Sequence, residues 1–298
     1  MDLLIGSRGS RLALWQAEWV KNRLESLGVN AQIKVIKTAG DKLTAPLPAG
    51  PDLKNLFIKE IEEALAAGAV DVAVHSLKDL PVEQPPGLRI AAVPPRADAR
   101  DVLISRQPQK LVELPSGARI GTSSVRRASQ LRGLRADVQL IPMRGNVDTR
   151  LAKLDRGDCD ALVMAAAGIH RLGFTSRITE YFAPERLCPA VGQGALAIEV
   201  RGGDSRVEET VRTLDDAATR LTVTAERSAL RHLGGGCQTP IAAHARIEGN
   251  QLEMIGVVAS PDGARVVRAR ARGNSEDPES VGERLADKLL AAGAAALL

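Results

Sequence analysis

The heptapeptide His75-Ser76-Leu77-Lys78-Asp79-Leu80-Pro81 sets a cation beside a carboxylate directly after the apolar run 70–74. A Lys-Asp pair at a strand end facing a cleft suits charge stabilisation or proton transfer. Taken alone it reads more readily as a solvated loop pair, with His75 a hydrogen-bonded structural residue. A second chemistry-bearing stretch, Gly121-Thr122-Ser123-Ser124-Val125-Arg126-Arg127, puts three hydroxyls before a helix whose first turn holds two arginines. Cations there oppose the helix dipole, so an anion is expected to join them. Ile5-Gly6-Ser7-Arg8-Gly9-Ser10 repeats this grammar and suits an anion or a plain serine cap. Arg144 and Arg150 flank another helix start, and Arg171 follows a further strand. Ligands of α/β sheets bind beyond the strand C-termini, so Arg126, Arg127, Arg144, Arg150 and Arg171 are candidates to converge on an organic or phosphorylated polyanion. Finally, Gly234-Gly235-Gly236-Cys237 exposes one thiol on a glycine-rich loop, whereas Cys159 and Cys188 have apolar neighbours. A lone cysteine is otherwise an inert small hydrophobe.

The elements that must position these groups follow from periodicity. Strands are expected at 3–7, 31–38 and 70–74, alternating with helices at 12–27 and 53–67. A Pro-rich link at 94–100 opens a second series, with strands at 101–105, 118–122, 138–144 and 160–166 and helices at 125–134 and 147–156. A strand at 195–201 and a helix at 205–214 read as return pieces that rejoin the first lobe. The last 80 or so residues change character: a helix over 218–233, three alternating strands at 241–248, 251–260 and 264–272, and a terminal helix over 278–297. The expectation is therefore α/β: two lobes plus a small C-terminal α+β domain with a three-stranded antiparallel sheet. Its domains would be 1–95 with 195–215, then 100–190, then 217–298.

Composition bounds the function classes. The chain has 298 residues, 44% hydrophobic and 26% charged, as expected of a globular protein. No apolar run approaches the roughly 18 residues a membrane span needs. No secretory signal is visible, and the three cysteines show no CxxC spacing, which argues against a disulfide framework or a metal site. A reduced cytoplasmic protein with no metal is expected. Thirty arginines stand against ten lysines, and residues 119–177 carry ten Arg and one Lys against five Asp. Guanidinium groups grip carboxylates and phosphates bidentately. Nucleic acid is the weaker reading, because the six aromatics do not interleave with this basic stretch as stacking would require.

Taken together, these segments resemble the porphobilinogen deaminase (hydroxymethylbilane synthase) family. The resemblance rests on Ser7-Arg8, Leu12-Ala13-Leu14-Trp15-Gln16, Phe57-Ile58-Lys59-Glu60, the heptapeptide at His75, Gly121 to Arg127, and Arg144-Gly145-Asn146-Val147. It continues through Ala167-Gly168, Arg171-Leu172-Gly173, Pro189-Ala190-Val191-Gly192-Gln193-Gly194 and Gly235-Gly236-Cys237-Gln238, in the family's order and across almost the whole chain. It implies that both α/β lobes are like type II periplasmic binding proteins. It also implies a dipyrromethane cofactor joined by a thioether to Cys237, and stepwise head-to-tail condensation of four porphobilinogens into hydroxymethylbilane with loss of ammonia. Carried over, Asp79 is the catalytic carboxylate. Lys78, Thr122, Ser123, Ser124, Arg126, Arg127, Arg150 and Asp41 would bind the cofactor, and Arg8, Ser10, Gln16, Arg144 and Arg171 the substrate or growing chain. A monomer without nucleic-acid or membrane partners is implied. The rival reading is a non-catalytic two-lobed anion-binding or effector-sensing protein, which would have no use for Cys237 or Lys78-Asp79.

Overall fold

The structure, a computed structural model, describes residues 1–39, 55–234 and 240–298. Asp41, Cys237 and most of the glycine loop therefore lie outside the described residues. One compact unit comprises Met1–Arg96 with Ala195–Arg220, and a second comprises Ala97–Gly194 with Leu221–Leu298.

In the first unit, β1 (Asp2–Ser7) runs parallel to β2 (Asn30–Val35) and β3 (Val72–Ser76). β10 (Leu196–Arg201) pairs antiparallel with β3 and with β4 (Leu88–Ala92), giving the order β2-β1-β3-β10-β4. Both faces of this sheet are covered, which is why its central strands read as continuous apolar runs. Helix α1 (Arg11–Ser26) buries Ala17, Val20 and Leu24 against Leu3, Ile5, Val74 and Ile198. Its N-terminus is closed by Ser10, whose Oγ accepts from the Ala13 N–H at 3.3 Å. Helix α2 (Asn55–Ala66) covers the opposite face through Ile61 and Leu65. Each such aliphatic side chain contributes about 1.5–3 kcal/mol when fully removed from water.

The second unit's α/β sheet has the order β7-β6-β8-β5-β9, from β5 (Asp101–Ser105), β6 (Arg119–Gly121), β7 (Gln139–Ile141), β8 (Ala161–Ala165) and β9 (Glu180–Tyr181). β6 is parallel to β7 and β8, while β5 is antiparallel to β8 and β9. The two sheets thus share one plan: the fourth strand is antiparallel and is the first strand after the chain passes from one unit to the other. Helices α3 (Val125–Leu134), α4 (Val147–Asp155) and α5 (Ala166–Arg171) follow β6, β7 and β8. Separate apolar cores, around Leu103, Ile120 and Phe182 and around Ile104, Leu162 and Ile169, fill the two faces.

The same unit holds the antiparallel sheet β11 (Ile241–Glu248), β12 (Gln251–Ala259) and β13 (Val266–Asn274). The mixed α/β sheets and the three-stranded C-terminal sheet are the expected fold class. β4, β9 and α5 were absent from the periodicity reading, because each is short and bounded by prolines or by another element. The terminal helix also ends sooner than expected, at Ala291, where Gly293 adopts φ 95° and a short 3₁₀ turn follows.

Candidate active site

In the first unit, β3 ends at Ser76 and the chain turns through one 3₁₀ turn, Leu77–Asp79. Leu77 and Leu80 on either side of the pair are buried, at 1% and 4% exposure. The Leu77 N–H donates to the Ala195 carbonyl at 3.0 Å, so two apolar anchors and a backbone bond leave Lys78 and Asp79 half-buried between them. Among the described residues, no side-chain hydrogen bond or ion pair engages the Asp79 carboxylate. Behind the turn, buried Gln16 donates from Nε2 to Ser76 Oγ at 2.9 Å. Gln16 and Ser10 therefore already serve the framework, one bracing the strand end and the other capping α1. Arg8 is half-buried at the end of β1.

In the second unit, the hydroxyls after β6 organise the loop. Buried Thr122 accepts from the Ser124 N–H at 3.2 Å, exposed Ser123 accepts from the Met143 N–H at 3.0 Å, and Ser124 caps α3 by accepting from the Arg127 N–H at 3.4 Å. Arg126 and Arg127 are each 7% exposed and turn inward onto Asp101 at the start of β5. Arg126 donates to Asp101 Oδ2 at 2.8 Å and to the Cys188 carbonyl at 2.6 Å. Arg127 donates from Nε to Asp101 Oδ1 at 3.0 Å, and Gln193 Nε2 reaches the same oxygen at 2.9 Å.

The anion that the helix-dipole argument called for is thus, in part, the protein's own Asp101. One carboxylate faces two guanidiniums, so this buried cluster keeps a net positive charge. Burial opposes ionisation of Asp101, but the two arginine charges hold its carboxyl far below the ordinary carboxylate range. Arg127 is lowered, first by burial and against the pull of Asp101. Arg150, half-buried and donating from Nε to the Gly145 carbonyl at 2.8 Å, is lowered to about 10 by burial and then by the Arg127 charge. That repulsion marks Arg126, Arg127 and Arg150 as one electropositive neighbourhood.

Arg171 is lowered to about 10 by burial and donates to the Gly194 carbonyl at 2.8 Å, on the turn where the chain leaves this unit. Gly194 has φ 89°, and a Cβ there would lie 2.5 Å from the Ala97 carbonyl oxygen, so only glycine fits. Arg144 is exposed, and its backbone carbonyl accepts from Lys153 Nζ at 3.1 Å. The two buried cysteines are poor nucleophiles. Burial pushes Cys159 up to about 11 and Cys188 higher still.

Sequence reasoning missed Asp101, Gln193 and Arg227. An aspartate opening the apolar strand Asp101–Ser105 was a legible signal for a buried ion pair. Gln193 gave none beyond its flanking glycines. Arg227, on the helix Ala217–His232, is lowered to about 10 by burial and then by Arg231, and the bland periodicity of that helix does not single it out. Among the described residues, no group of three or more His, Cys, Asp or Glu side chains is placed to hold a metal, and no helix is long and apolar enough to cross a membrane.

The chain matches two family models. Residues 3–209 match "Porphobilinogen deaminase, dipyromethane cofactor binding domain" and residues 220–291 match "Porphobilinogen deaminase, C-terminal domain". Similar curated proteins, each named porphobilinogen deaminase, include one from Syntrophotalea carbinolica at 48% identity, covering 99% of this chain and 95% of the relative. Another, from Roseiflexus sp. (strain RS-1), is 50% identical and covers 99% and 98%. Similar solved structures include a YaeC-family lipoprotein from Enterococcus faecalis V583 (TM-score 0.43, 16% identity, 72% of this chain and 90% of that one). A periplasmic binding protein of an arginine transport system from Legionella pneumophila gives TM-score 0.41 at 12% identity, covering 72% and 91%. Scores this low carry no argument about ligands. Two family models and near-identical lengths at about half identity do: this chain belongs to the porphobilinogen deaminase family.

Proposed function

We propose that this enzyme condenses four porphobilinogen molecules head to tail into linear hydroxymethylbilane, releasing ammonia, from a covalently bound dipyrromethane primer. The observation that carries the reading is the buried imbalance at Asp101, where two guanidiniums share one carboxylate beside Arg150. Each porphobilinogen brings an acetate and a propionate, so the dipyrromethane carries four carboxylates. A buried cation surplus is costly unless anions offset it, and this donor set fits that load. When bound, the dipyrromethane supplies the pyrrole that starts the chain. Arg126, Arg127 and Arg150, with Lys78 and Ser124, would hold its carboxylates. Thr122 and Ser123 shape the loop beside them, and Asp41 is assigned to the same group. Arg8, Ser10, Gln16, Arg144 and Arg171 would meet incoming substrate. Arg171 and Gln16 would do so from positions already braced by Gly194 and Ser76.

Asp79 is the proposed catalytic carboxylate. Loss of ammonia and attack by a pyrrole develop positive charge beside ring nitrogens. A carboxylate held without a competing partner is preorganised to stabilise that charge. With Cys159 and Cys188 buried and their thiols hard to ionise, Cys237 is the proposed attachment point. We further read the three sheets as three domains, 1–95 with 195–215, 100–190 and 217–298, in a monomeric cytoplasmic protein without nucleic-acid or membrane partners. The purely anion-binding alternative gives no reason for an unengaged Asp79.

Intact mass and ammonia release test this reading together. Purified protein should exceed its sequence mass by two linked pyrrole units and release ammonia from porphobilinogen. Cys237→Ser should lose the added mass, while Cys159→Ser and Cys188→Ser keep it. An adduct on Cys159 or Cys188, or no ammonia release by mass-loaded protein, would overturn it.

A further inference from the structure

Three ionisable side chains that this chemistry leaves unused meet behind the Lys78–Asp79 turn, two of them buried and the third half-buried. Glu199, from β10, is 0% exposed, and His75, from β3, is 5% exposed. His75 Nε2 lies 3.2 Å from Glu199 Oε2, yet neither that nitrogen nor either Glu199 oxygen has an aligned hydrogen-bond partner. In the β3–β10 ladder Glu199 stands opposite Ala73 and His75 opposite Ala197, so the two side chains are diagonal neighbours on one face. The third member is Glu62 of α2, the helix that covers that face, and its Oε1 is also buried without a partner. Burial raises the Glu62 carboxyl, the Glu199 charge raises it further, and His75 partly offsets both.

Burying a carboxylate beside an imidazole is unfavourable unless the two face each other. Glu199, whose Oε2 lies 3.2 Å from His75 Nε2, is the carboxylate that His75 faces. Their place along the chain gives the pair a purpose. His75 immediately precedes Ser76, which Gln16 braces, and Leu77, whose N–H is held by Ala195 next to the start of β10. Holding His75 against Glu199 therefore sets the depth and register at which β3 releases the turn.

We propose that His75 and Glu199 are positioning residues: facing each other across β3 and β10, they fix where the turn presents the Asp79 carboxylate. The proposal rests on the role assigned to Asp79 above. It makes the pair a unit rather than two separate packing contributions.

The test uses full-length, cofactor-loaded protein carrying His75→Gln, Glu199→Gln, both together, or Glu199→Asp. Steady-state ammonia release is followed alongside amide hydrogen exchange at Leu77 and Leu80. Each single Gln variant should lower kcat about 10–100-fold, the usual effect of removing a group that orients a reacting one. KM should stay within about threefold and the intact mass should be unchanged. The double variant should be no slower than the slower single, since partners in one interaction do not add, and Glu199→Asp should recover part of the loss. Exchange at Leu77 and Leu80 should quicken about tenfold in the Gln variants. Single losses that multiply in the double variant, unchanged kcat, or unchanged exchange each overturn the proposal. If Glu199→Gln fails to fold, His75→Gln and Glu199→Asp still decide it by exchange. If wild-type protein releases no ammonia, the functional reading fails, and exchange at the turn alone then decides whether the pair positions it.

Discussion

The Lys78–Asp79 turn and the Arg126–Arg127 pair handle charge in opposite ways. The Lys78–Asp79 turn in the first unit holds a half-buried carboxylate that no described side chain engages, with apolar anchors at Leu77 and Leu80 fixing it from either side. The Arg126–Arg127 pair in the second unit is buried and multiply bonded, with Asp101 as shared counter-ion and Gln193 and the Cys188 carbonyl filling the remaining positions. A lone carboxylate at a turn can respond to charge that appears only during a reaction. A buried network answers to a standing charge, and it ties that charge to the stability of the fold. The first region should therefore fail in rate and the second in folding and ligand retention.

The largest effect expected from this contrast is on stability. Asp101→Ala leaves two buried guanidiniums without their carboxylate and should cost about 3–5 kcal/mol in denaturant unfolding. A loss under 1 kcal/mol would erase the distinction between the two regions. Next comes Asp79→Asn, which removes the negative charge but keeps size. Turnover should fall on the order of 10²–10³-fold, about 3–4 kcal/mol, with the melting temperature nearly unchanged. Single-turnover ammonia release is the measurement, and a first release within tenfold of wild type would remove Asp79 from its role.

Arg127→Leu is expected to have an intermediate effect. It takes away a charge-assisted pair worth roughly 1.5–3 kcal/mol, so the protein should fold but lack the two-pyrrole mass. Arg171→Leu, whose guanidinium braces the Gly194 carbonyl, should keep that mass and slow elongation instead. Full mass in Arg127→Leu would count against the assignment. The smallest effect is on pH dependence. Asp101 has its folded-state carboxyl depressed below the ordinary value of 3.8, so its contribution is present above that value and fades as pH falls below it. The melting-temperature gap between wild type and Asp101→Asn should shrink as pH falls from about 4 towards about 2. A constant gap would mean that Asp101 contributes through packing rather than charge.

Much of this contrast was legible in the chain itself. The alternation of strands and helices, the end of β3 just before Lys78 and Asp79, and the hydroxyl-rich entry to α3 all follow from local periodicity and capping, which act over a few residues. The arginine excess between residues 119 and 177 is likewise visible by counting. These features point to an anionic ligand. What lay beyond reach was pairing across the sheet. Asp101 is 25 residues from Arg126, and Gln193 is 92 residues from Asp101, yet they meet because β5 lies antiparallel beside β8 and the turn at Gly192 to Gly194 folds back onto it. Glu199 reaches His75 by the same means, through the antiparallel pairing of β10 with β3. Residue types and local order came from the sequence because hydrophobic period and caps are short-range. Which charge faces which was decided only by tertiary structure, because strand order brings distant segments within hydrogen-bond distance and burial then makes each pairing count.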